Sequence, residues 1–203
     1  MKNKLIACFA AAVFAVTLTA ADLSAYKPVD PTKNILKNGG FESANIGVGR
    51  IDLWGKMTPS KTLDSVIKRS GRYSLKIGNV PKNYAAIYYT LGIIEKLDND
   101  LLIRGWYRYE NIDISKKISA PFIGIWTNNK QGGNSKSFKL VDVPAGSNAE
   151  WTQFEVVLKA DLFKAECAKV NPAPYSFAFR INQYMQSGWL WLDDIEIIPL
   201  EKK

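Results

Sequence analysis

The acidic run Asp193-Asp194-Ile195-Glu196 is the part of the sequence best equipped for chemistry. Glycosidases place two carboxylates on either side of the bond that they cleave, one of them as the acid. Alternation along an extended strand would place Asp193 on one face and Asp194 and Glu196 on the other. Since no second acidic strand accompanies this run, we predict a protein that is not an enzyme, with a hydrolase or lyase as the lesser alternative.

The remaining catalytic classes lack their essential residues. The sequence contains no histidine, which excludes Ser-His-Asp and Cys-His catalysis and histidine-based zinc sites. No phosphate-binding loop, dinucleotide fingerprint or Gly-x-Ser-x-Gly elbow occurs. Cys167 has no activating base beside it, so we interpret it as a small buried hydrophobic residue.

Aromatic side chains are the second chemical feature, because they make up 12% of the residues. The C–H faces of sugar rings stack on such side chains, while nearby polar groups bind the hydroxyls. For any single aromatic residue, a place in the core is the competing interpretation. The candidates for exposed platforms are Trp54, Tyr84, Trp106, Trp126, Tyr184 and Trp189.

Short apolar or alternating runs separated by Gly, Asn, Asp and Pro predict that these residues are positioned by β-strands. The predicted strands are Ile35–Phe41, Ile51–Met57, Tyr73–Ile77, Ala85–Ile94, Leu101–Tyr109, Phe122–Thr127, Ser137–Val143, Trp151–Leu158, Ser176–Asn182 and Gly188–Pro199. Only Asp161–Val170 has helical spacing. Alternation within the strands is typical of antiparallel sheets with one face on a core, and we predict an all-β sandwich of two such sheets.

The first 21 residues combine a positive start, an apolar run and the small residues Thr19-Ala20-Ala21, which predicts a secretory signal peptide. A membrane anchor is the alternative, because the apolar run approaches the length that spans a bilayer. We expect a mature protein that begins near Ala21, Asp22 or Tyr26 and has no membrane span. We further predict a flexible segment over residues 22–34 and a sandwich over residues 35–200. The protein should be secreted, periplasmic or on the cell surface.

The net charge of +8 would fall to +6 when Lys2 and Lys4 leave with the signal peptide. The remaining positive residues are scattered, without a block of like charges, so a nucleic-acid partner is not supported. An acidic polysaccharide or a cell surface remains compatible with this charge, but a solvated basic surface is the favoured interpretation. We expect a monomer.

Five motifs, in this order, resemble the carbohydrate-binding modules of families four, nine and twenty-two. They are Asn38-Gly39-Gly40-Phe41-Glu42, the stretch from Arg69 to Ile77, Arg104-Gly105-Trp106-Tyr107-Arg108, Trp151-Thr152-Gln153-Phe154 and the stretch from Trp191 to Ile197. The resemblance implies a galactose-binding-like jelly roll over Ile35 to Leu200 that binds a polysaccharide or oligosaccharide. Such modules usually accompany a catalytic domain, and none is present here. A structural or adhesive sandwich that binds protein is the alternative.

The same resemblance implies a structural calcium ion that joins the domain's start, the Ser-Gly turn and the last strand. The implied ligands are the side chains of Glu42 and Asp193 and carbonyl groups of the turn that contains Arg69 and Gly71. Independently, Asp193 shares strand parity with Trp191, which predicts an inward carboxylate that needs a partner. The alternative is that Asp193 caps backbone N–H groups or pairs with Arg69 or Arg72.

Alternation also predicts a binding surface, on the sheet face that points away from the core. It gathers Tyr88, Trp106 and Trp126 as stacking platforms, Glu155, Arg180 and Asn182 as partners of hydroxyls, and Arg104 or Arg108 as partners of a uronic acid. One alternative is that the charged members only pair with each other across strands. Another places the sugar at the loop edge, on Trp54, Tyr84 and Tyr184.

Overall fold

The computed structural model describes residues 23–30, 32–78, 86–115, 121–129, 136–182 and 187–203. In chain order the strands are β1 (Tyr26–Pro28), β2 (Ala44–Asn45), β3 (Arg50–Ile51), β4 (Gly55–Lys56), β5 (Lys61–Asp64), β6 (Ser74–Gly78), β7 (Ala86–Ile93), β8 (Asp100–Asp113), β9 (Phe122–Asn128), β10 (Ser137–Asp142), β11 (Gly146–Leu158), β12 (Ser176–Asn182) and β13 (Ser187–Lys202). The helix α1 spans Ala160–Ala168, and 3₁₀ turns span Ile46–Val48 and Ile94–Lys96.

Two antiparallel sheets carry most of the chain. The larger has the order β11-β8-β13-β6-β5, with β1 added beside β13, and the smaller has the order β10-β9-β12-β7. The strands β2, β3 and β4 form a separate small ribbon. The fold is therefore an all-β sandwich of two antiparallel sheets, as the sequence predicts.

The core lies between the inner faces of the two sheets, where apolar side chains alternate with outward polar ones. From β8 of the six-stranded sheet, Ile103 and Tyr107 are buried in it. From β12 of the four-stranded sheet, Phe179 and Ile181 are fully buried. This alternation leaves each sheet with an outer face, and these two faces carry the candidate site residues.

A bulge in β13 decides which way its carboxylates point. Asp193 lies opposite Trp106 and Glu196 lies opposite Arg104, so β13 advances three residues where β8 advances two. Asp194, inside the bulge, has a left-handed backbone with φ 48°. One extra residue reverses the side to which the following residues point.

The bulge corrects the expectation that Asp193 points inward. Trp191 and Asp193 lie opposite Arg108 and Trp106 of β8 and share their outer face, whereas Ile195 and Ile197 belong to the core. Asp193 is nevertheless fully buried, because the backbone of residues 69 and 70 lies against its carboxylate. Uniform alternation cannot reveal this, since the sequence does not mark the bulge.

The start of the domain differs from the predictions. Residues 35–41, predicted to be a strand, form turns, and Asn38 and Phe41 adopt left-handed φ angles of 56° and 58°. The side chain of Asn38 organises these turns, since its amide donates to the carbonyl groups of Ser43 and Asp52. An amide that bonds to nearby backbone competes with strand formation.

The segment predicted to be flexible, residues 22–34, contains strand β1. Tyr26–Pro28 pairs with Leu200–Lys202 at the end of β13. Leu23 and Tyr26 also pack on a small apolar cluster outside the main core, formed by Leu102, Val157, Ile198 and Leu200. The predicted signal peptide lies outside the described residues. Within the part of the chain that is described, no helix is long and apolar enough to cross a membrane.

Candidate functional site

The predicted ligand-binding residues divide between the two outer faces. Arg104, Trp106 and Arg108 of β8 and Glu155 of β11 lie on the six-stranded sheet, whereas Tyr88 of β7, Trp126 of β9 and Arg180 and Asn182 of β12 lie on the four-stranded sheet. The expectation that one concave face gathers them is therefore wrong. Alternation shows which side of a strand is polar, but not which sheet the strand joins.

The four-stranded face brings its four predicted residues together across three neighbouring strands. Arg180 lies opposite Tyr88 on one side and Gly124 on the other, and Asn182 follows two residues later on the same face. The guanidinium of Arg180 stacks over the ring of Trp126, 3.8 Å from its centroid. The indole Nε1–H of Trp126 donates to Asn128 Oδ1 at 2.8 Å. Both contacts hold the indole in a fixed orientation.

Tyr88 is the aromatic member of this face that meets solvent. Its side chain is 63% exposed, and among the described residues no other aromatic side chain counts as exposed. A groove of about 240 Å³ lies beside it, over the edge of β7, and is lined by Leu53, Trp54, Gly55, Lys61, Ile87 and Tyr88. Burial lowers the pKa of Lys61, whose ammonium donates to the carbonyl group of Trp54. Tyr88 thus connects the sheet face to the groove.

Asn182 has buried polar atoms that no described residue satisfies. Only 1% of the residue is exposed, and neither Oδ1 nor Nδ2 has a hydrogen-bond partner. Leaving a buried donor or acceptor unsatisfied costs about 1–3 kcal/mol, so each such group calls for a water molecule, an ion or a ligand. Because the amide lies beneath the surface that carries Tyr88, a buried water molecule would suit it better than a ligand.

On the six-stranded face, the predicted charged residues pair with each other. Arg104 Nε lies 2.6 Å from Glu196 Oε2, and its Nη1 lies 3.9 Å from Glu155 Oε2. Arg108 forms an ion pair with Glu110. The alternative of cross-strand pairing therefore describes Arg104 and Glu155, whereas Arg108 pairs within its own strand. A uronic acid would have to compete with carboxylates already in place.

The indole rings of the six-stranded face lie under cations. Arg69 stacks over Trp106, with 4.1 Å between its guanidinium carbon and the ring centroid. Lys76 lies 4.5 Å from the centroid of Trp189 and 5.2 Å from that of Trp191. Such contacts stabilise the sheet, and they leave less of each ring open to a ligand.

The predicted metal ligands do converge on one turn. Asp193 Oδ2 accepts hydrogen bonds from the backbone N–H groups of Arg69 at 2.8 Å and Ser70 at 3.2 Å, and Oδ1 accepts from that of Asp194 at 2.9 Å. Burial raises the pKa of Asp193 to about 6, against the opposing effect of these hydrogen bonds. The carboxylate of Asp193 thus fixes the backbone of the turn at residues 69 and 70.

Glu42 holds the same turn from its other end. Its carboxylate accepts hydrogen bonds from the backbone N–H groups of Arg72, at 2.8 Å, and Tyr73, at 3.2 Å. Gly71 passes so close that a Cβ there would lie 2.3 Å from Glu42 Oε1, and its φ of 57° is left-handed. A side chain at position 71 is therefore excluded.

This geometry fits a hydrogen-bonded clamp better than a calcium cage. Calcium needs six to eight oxygen ligands, whereas the turn faces both carboxylates with N–H donors. Within the described ranges, no group of three or more Cys, Asp or Glu side chains could hold a metal ion. The capping alternative for Asp193 is what the structure shows, and calcium binding stays a prediction.

The loop-edge alternative loses one of its residues. Trp54 is 3% exposed, its ring packs against Phe41 and Tyr89, and its Nε1–H donates to the carbonyl group of Asn38. It belongs to the core, although its edge lines the groove beside Tyr88. Tyr84 and Tyr184 lie outside the described residues.

Cys167 is 2% exposed, and burial raises the pKa of its thiol to about 11. This agrees with its interpretation as a small hydrophobic residue, because a thiol with a raised pKa forms little of the reactive thiolate.

Comparison with solved structures bears on the architecture as a whole. The xylan-binding module CBM22-1 of Paenibacillus barcinonensis aligns with a TM-score of 0.51 at 10% identity, over 84% of this chain and 96% of that one. The fold is that of a carbohydrate-binding module. The tandem CBM22-1–CBM22-2 domain of the same organism aligns with a TM-score of 0.52 at 10% identity, over 87% of this chain and 49% of the tandem.

A catalytic protein shares the same architecture. The enzymatically active domain of bacteriophage CBA120 tailspike protein 4 aligns with a TM-score of 0.51 at 15% identity, and the chain covers only 22% of that domain, with 83% of its own length. No family model and no curated protein matches the sequence. At these identities the likeness establishes the fold, and the ligand has to be argued from the surface.

Proposed function

We propose that the protein is an exported, non-catalytic carbohydrate-binding protein that holds a polysaccharide or oligosaccharide on the outer face of the four-stranded sheet. The observation that carries the proposal is exposed Tyr88 beside the groove of about 240 Å³. A sugar ring offers an apolar C–H face for the phenol ring of Tyr88 and hydroxyls for the ammonium of Lys61, which lines the groove. These are the two kinds of contact that small-ligand recognition requires.

The width of the surface favours a ligand of several sugar residues. Neighbouring strands lie about 4.8 Å apart, so the distance from β9 across β12 to β7 is about 10 Å. Trp126 stands at one side of this span and Tyr88 at the other. The groove at Leu53 and Lys61 extends the surface over the edge of β7. A chain of sugar residues can cover all of these features at once.

The state of the acidic run supports the absence of catalysis. Asp193 is buried under the turn and Asp194 forms an ion pair with Arg69 at 2.5 Å. Glu196 forms one with Arg104. Each carboxylate is committed to a structural partner, whereas a glycosidase keeps two of them free on either side of a bond.

A glycan array probed with the mature protein, followed by calorimetry on the strongest ligand, tests the binding site. We expect Tyr88→Ala to weaken binding about tenfold, which corresponds to about 1.4 kcal/mol. Val66→Ala, which truncates another exposed apolar side chain in a distant loop, is the matched control and should bind normally. Unchanged affinity in Tyr88→Ala, or an array on which no glycan binds, would contradict the proposal.

Export is tested separately, because it does not depend on the binding surface. We expect N-terminal sequencing of the protein recovered from its native envelope or medium to begin near Ala21, Asp22 or Tyr26. An intact Met1 would refute cleavage.

A further inference from the structure

The six-stranded face contains a polar cavity that the proposed site does not use. It has a volume of about 380 Å³ and lies over β8, β11 and the bulge of β13. Its walls include Arg69, Ser70, Trp106, Gln153, Asp194 and Glu196. This volume falls within the range of about 300–1,000 Å³ that small-molecule sites occupy.

The groups around this cavity are held in fixed positions. Asp194 accepts a hydrogen bond from Ser70 Oγ at 2.7 Å besides its ion pair with Arg69. Arg69 in turn stacks over Trp106. A carboxylate accepts up to about four hydrogen bonds, so Asp194 retains capacity for a ligand's hydroxyl groups. Because these side chains are already ordered, binding a ligand there would cost little side-chain conformational entropy.

We propose that this cavity, centred on Trp106, is a second binding site, for a neutral sugar residue. The indole of Trp106, one face of which lies under Arg69, forms an apolar wall of the cavity. Exposed Gln153 offers an amide, and the carboxylates of Asp194 and Glu196 accept from hydroxyls. The charges of the cavity disfavour acidic sugars. Arg69 is balanced by Asp194, and Arg104 is balanced by Glu196 and the adjoining Glu155. The inference adopts the ligand class of the proposed function but concerns a different face.

A second site on the opposite face would change what the protein can do. Strands β8 and β9 belong to different sheets that pack on a common core, so the surfaces at Trp106 and Trp126 point away from each other. One glycan chain therefore cannot easily reach both surfaces. A protein with both sites would bind two ligands and join two glycan chains.

The experiment follows the indole N–H signals of Trp106 and Trp126 by NMR during titration with neutral hexasaccharides of glucose, xylose, mannose and galactose. We expect one of these probes to shift the Trp106 signal, and the shift to persist in Tyr88→Ala. Gln153→Ala should weaken the Trp106 response about fivefold, as expected for the loss of one hydrogen bond. Trp189→Ala, an indole truncation on the same face outside the cavity, should leave the response unchanged.

The two signals separate the two proposals. A shift at Trp126 alone would overturn the second site while the proposed function stands. A shift at Trp106 alone would support the second site and contradict the binding surface on the four-stranded sheet. An unmoved Trp106 signal with every probe, in a variant series with unchanged melting midpoints, would overturn the inference.

Discussion

The two outer faces of the sandwich have similar residue types and very different states. On the six-stranded face, Arg104, Arg108 and Glu155 are all in ion pairs, and Trp106 lies under a guanidinium. On the four-stranded face, Tyr88 is exposed beside a groove, while Asn182 is buried. The comparison teaches that composition identifies surfaces able to bind a sugar, whereas pairing and burial decide which groups are still available.

The largest expected effect comes from removing the carboxylate of Asp193, on which the order of the six-stranded face depends. Asp193→Ala leaves the partly buried N–H groups of Arg69 and Ser70 without their acceptor, and we expect the free energy of unfolding to fall by about 2 kcal/mol. Urea denaturation measures this. Glycan binding at Tyr88 should survive in the folded variant, and a loss of both would show that the two faces are coupled.

The protonation of Asp193 should appear in the pH dependence of stability. Its pKa is raised to about 6 in the folded state, above the value of about 3.9 in an unfolded chain. The folded protein therefore binds the proton more tightly, and this contribution to stability is present below pH 4 and disappears as the pH rises through 6. We expect the wild type to lose roughly 2–3 kcal/mol relative to Asp193→Asn between pH 4 and 7. A constant difference would show that the hydrogen bonds, and not burial, set this pKa.

A smaller change in stability, of opposite sign, is expected from a substitution on the four-stranded face. Asn182→Leu removes two unsatisfied polar atoms and keeps a side chain of similar size, so stability should rise by about 1 kcal/mol. Glycan affinity should stay unchanged, because the amide is buried beneath the surface. Thermal denaturation and calorimetry measure the two quantities. Lower stability would mean that the amide has a structural partner, and lower affinity would mean that it reaches the ligand.

The smallest change in stability is expected from a chelator that would remove the predicted calcium ion. The N–H groups of the turn and the guanidinium of Arg69 already balance Asp193 and Asp194, so a chelator should shift the melting midpoint by little. A marked fall that calcium reverses and magnesium does not would establish the predicted ion. It would also show that Glu42 and Asp193 exchange their hydrogen bonds for a metal.

The sequence predicts most strands because alternation is a local property. The boundaries of Ser176–Asn182 agree completely with the structure, and β8 and β13 extend beyond their predicted ends. Residues 35–41 fail as a strand because Asn38 bonds to the neighbouring backbone. The strand Lys61–Asp64 was missed because its residues are polar and its pairing with β6 is what orders it.

The candidate site was harder to predict, since it depends on contacts between distant parts of the chain. Alternation along the strands correctly predicted a group of neighbours, namely Tyr88, Trp126, Arg180 and Asn182. It also added residues that belong to the other sheet. Gln153 and Glu196 were missed as neighbours of Trp106. Glu196 joins that face through the register of β13 after its bulge, which has no sequence signal. Only the pairing of whole strands reveals such neighbours.

The pairing of β1 with the end of β13 means that the chain enters and leaves the sandwich at one place. The backbone N–H of Lys203 donates to the carbonyl group of Ala25 at 3.0 Å, so residues 25 and 203 are hydrogen-bonded neighbours. Linking them needs only a short peptide, and new ends could be opened at Pro144 and Ala145, which are exposed between β10 and β11. The architecture thus suits circular permutation, or insertion as a unit into a loop of a host protein.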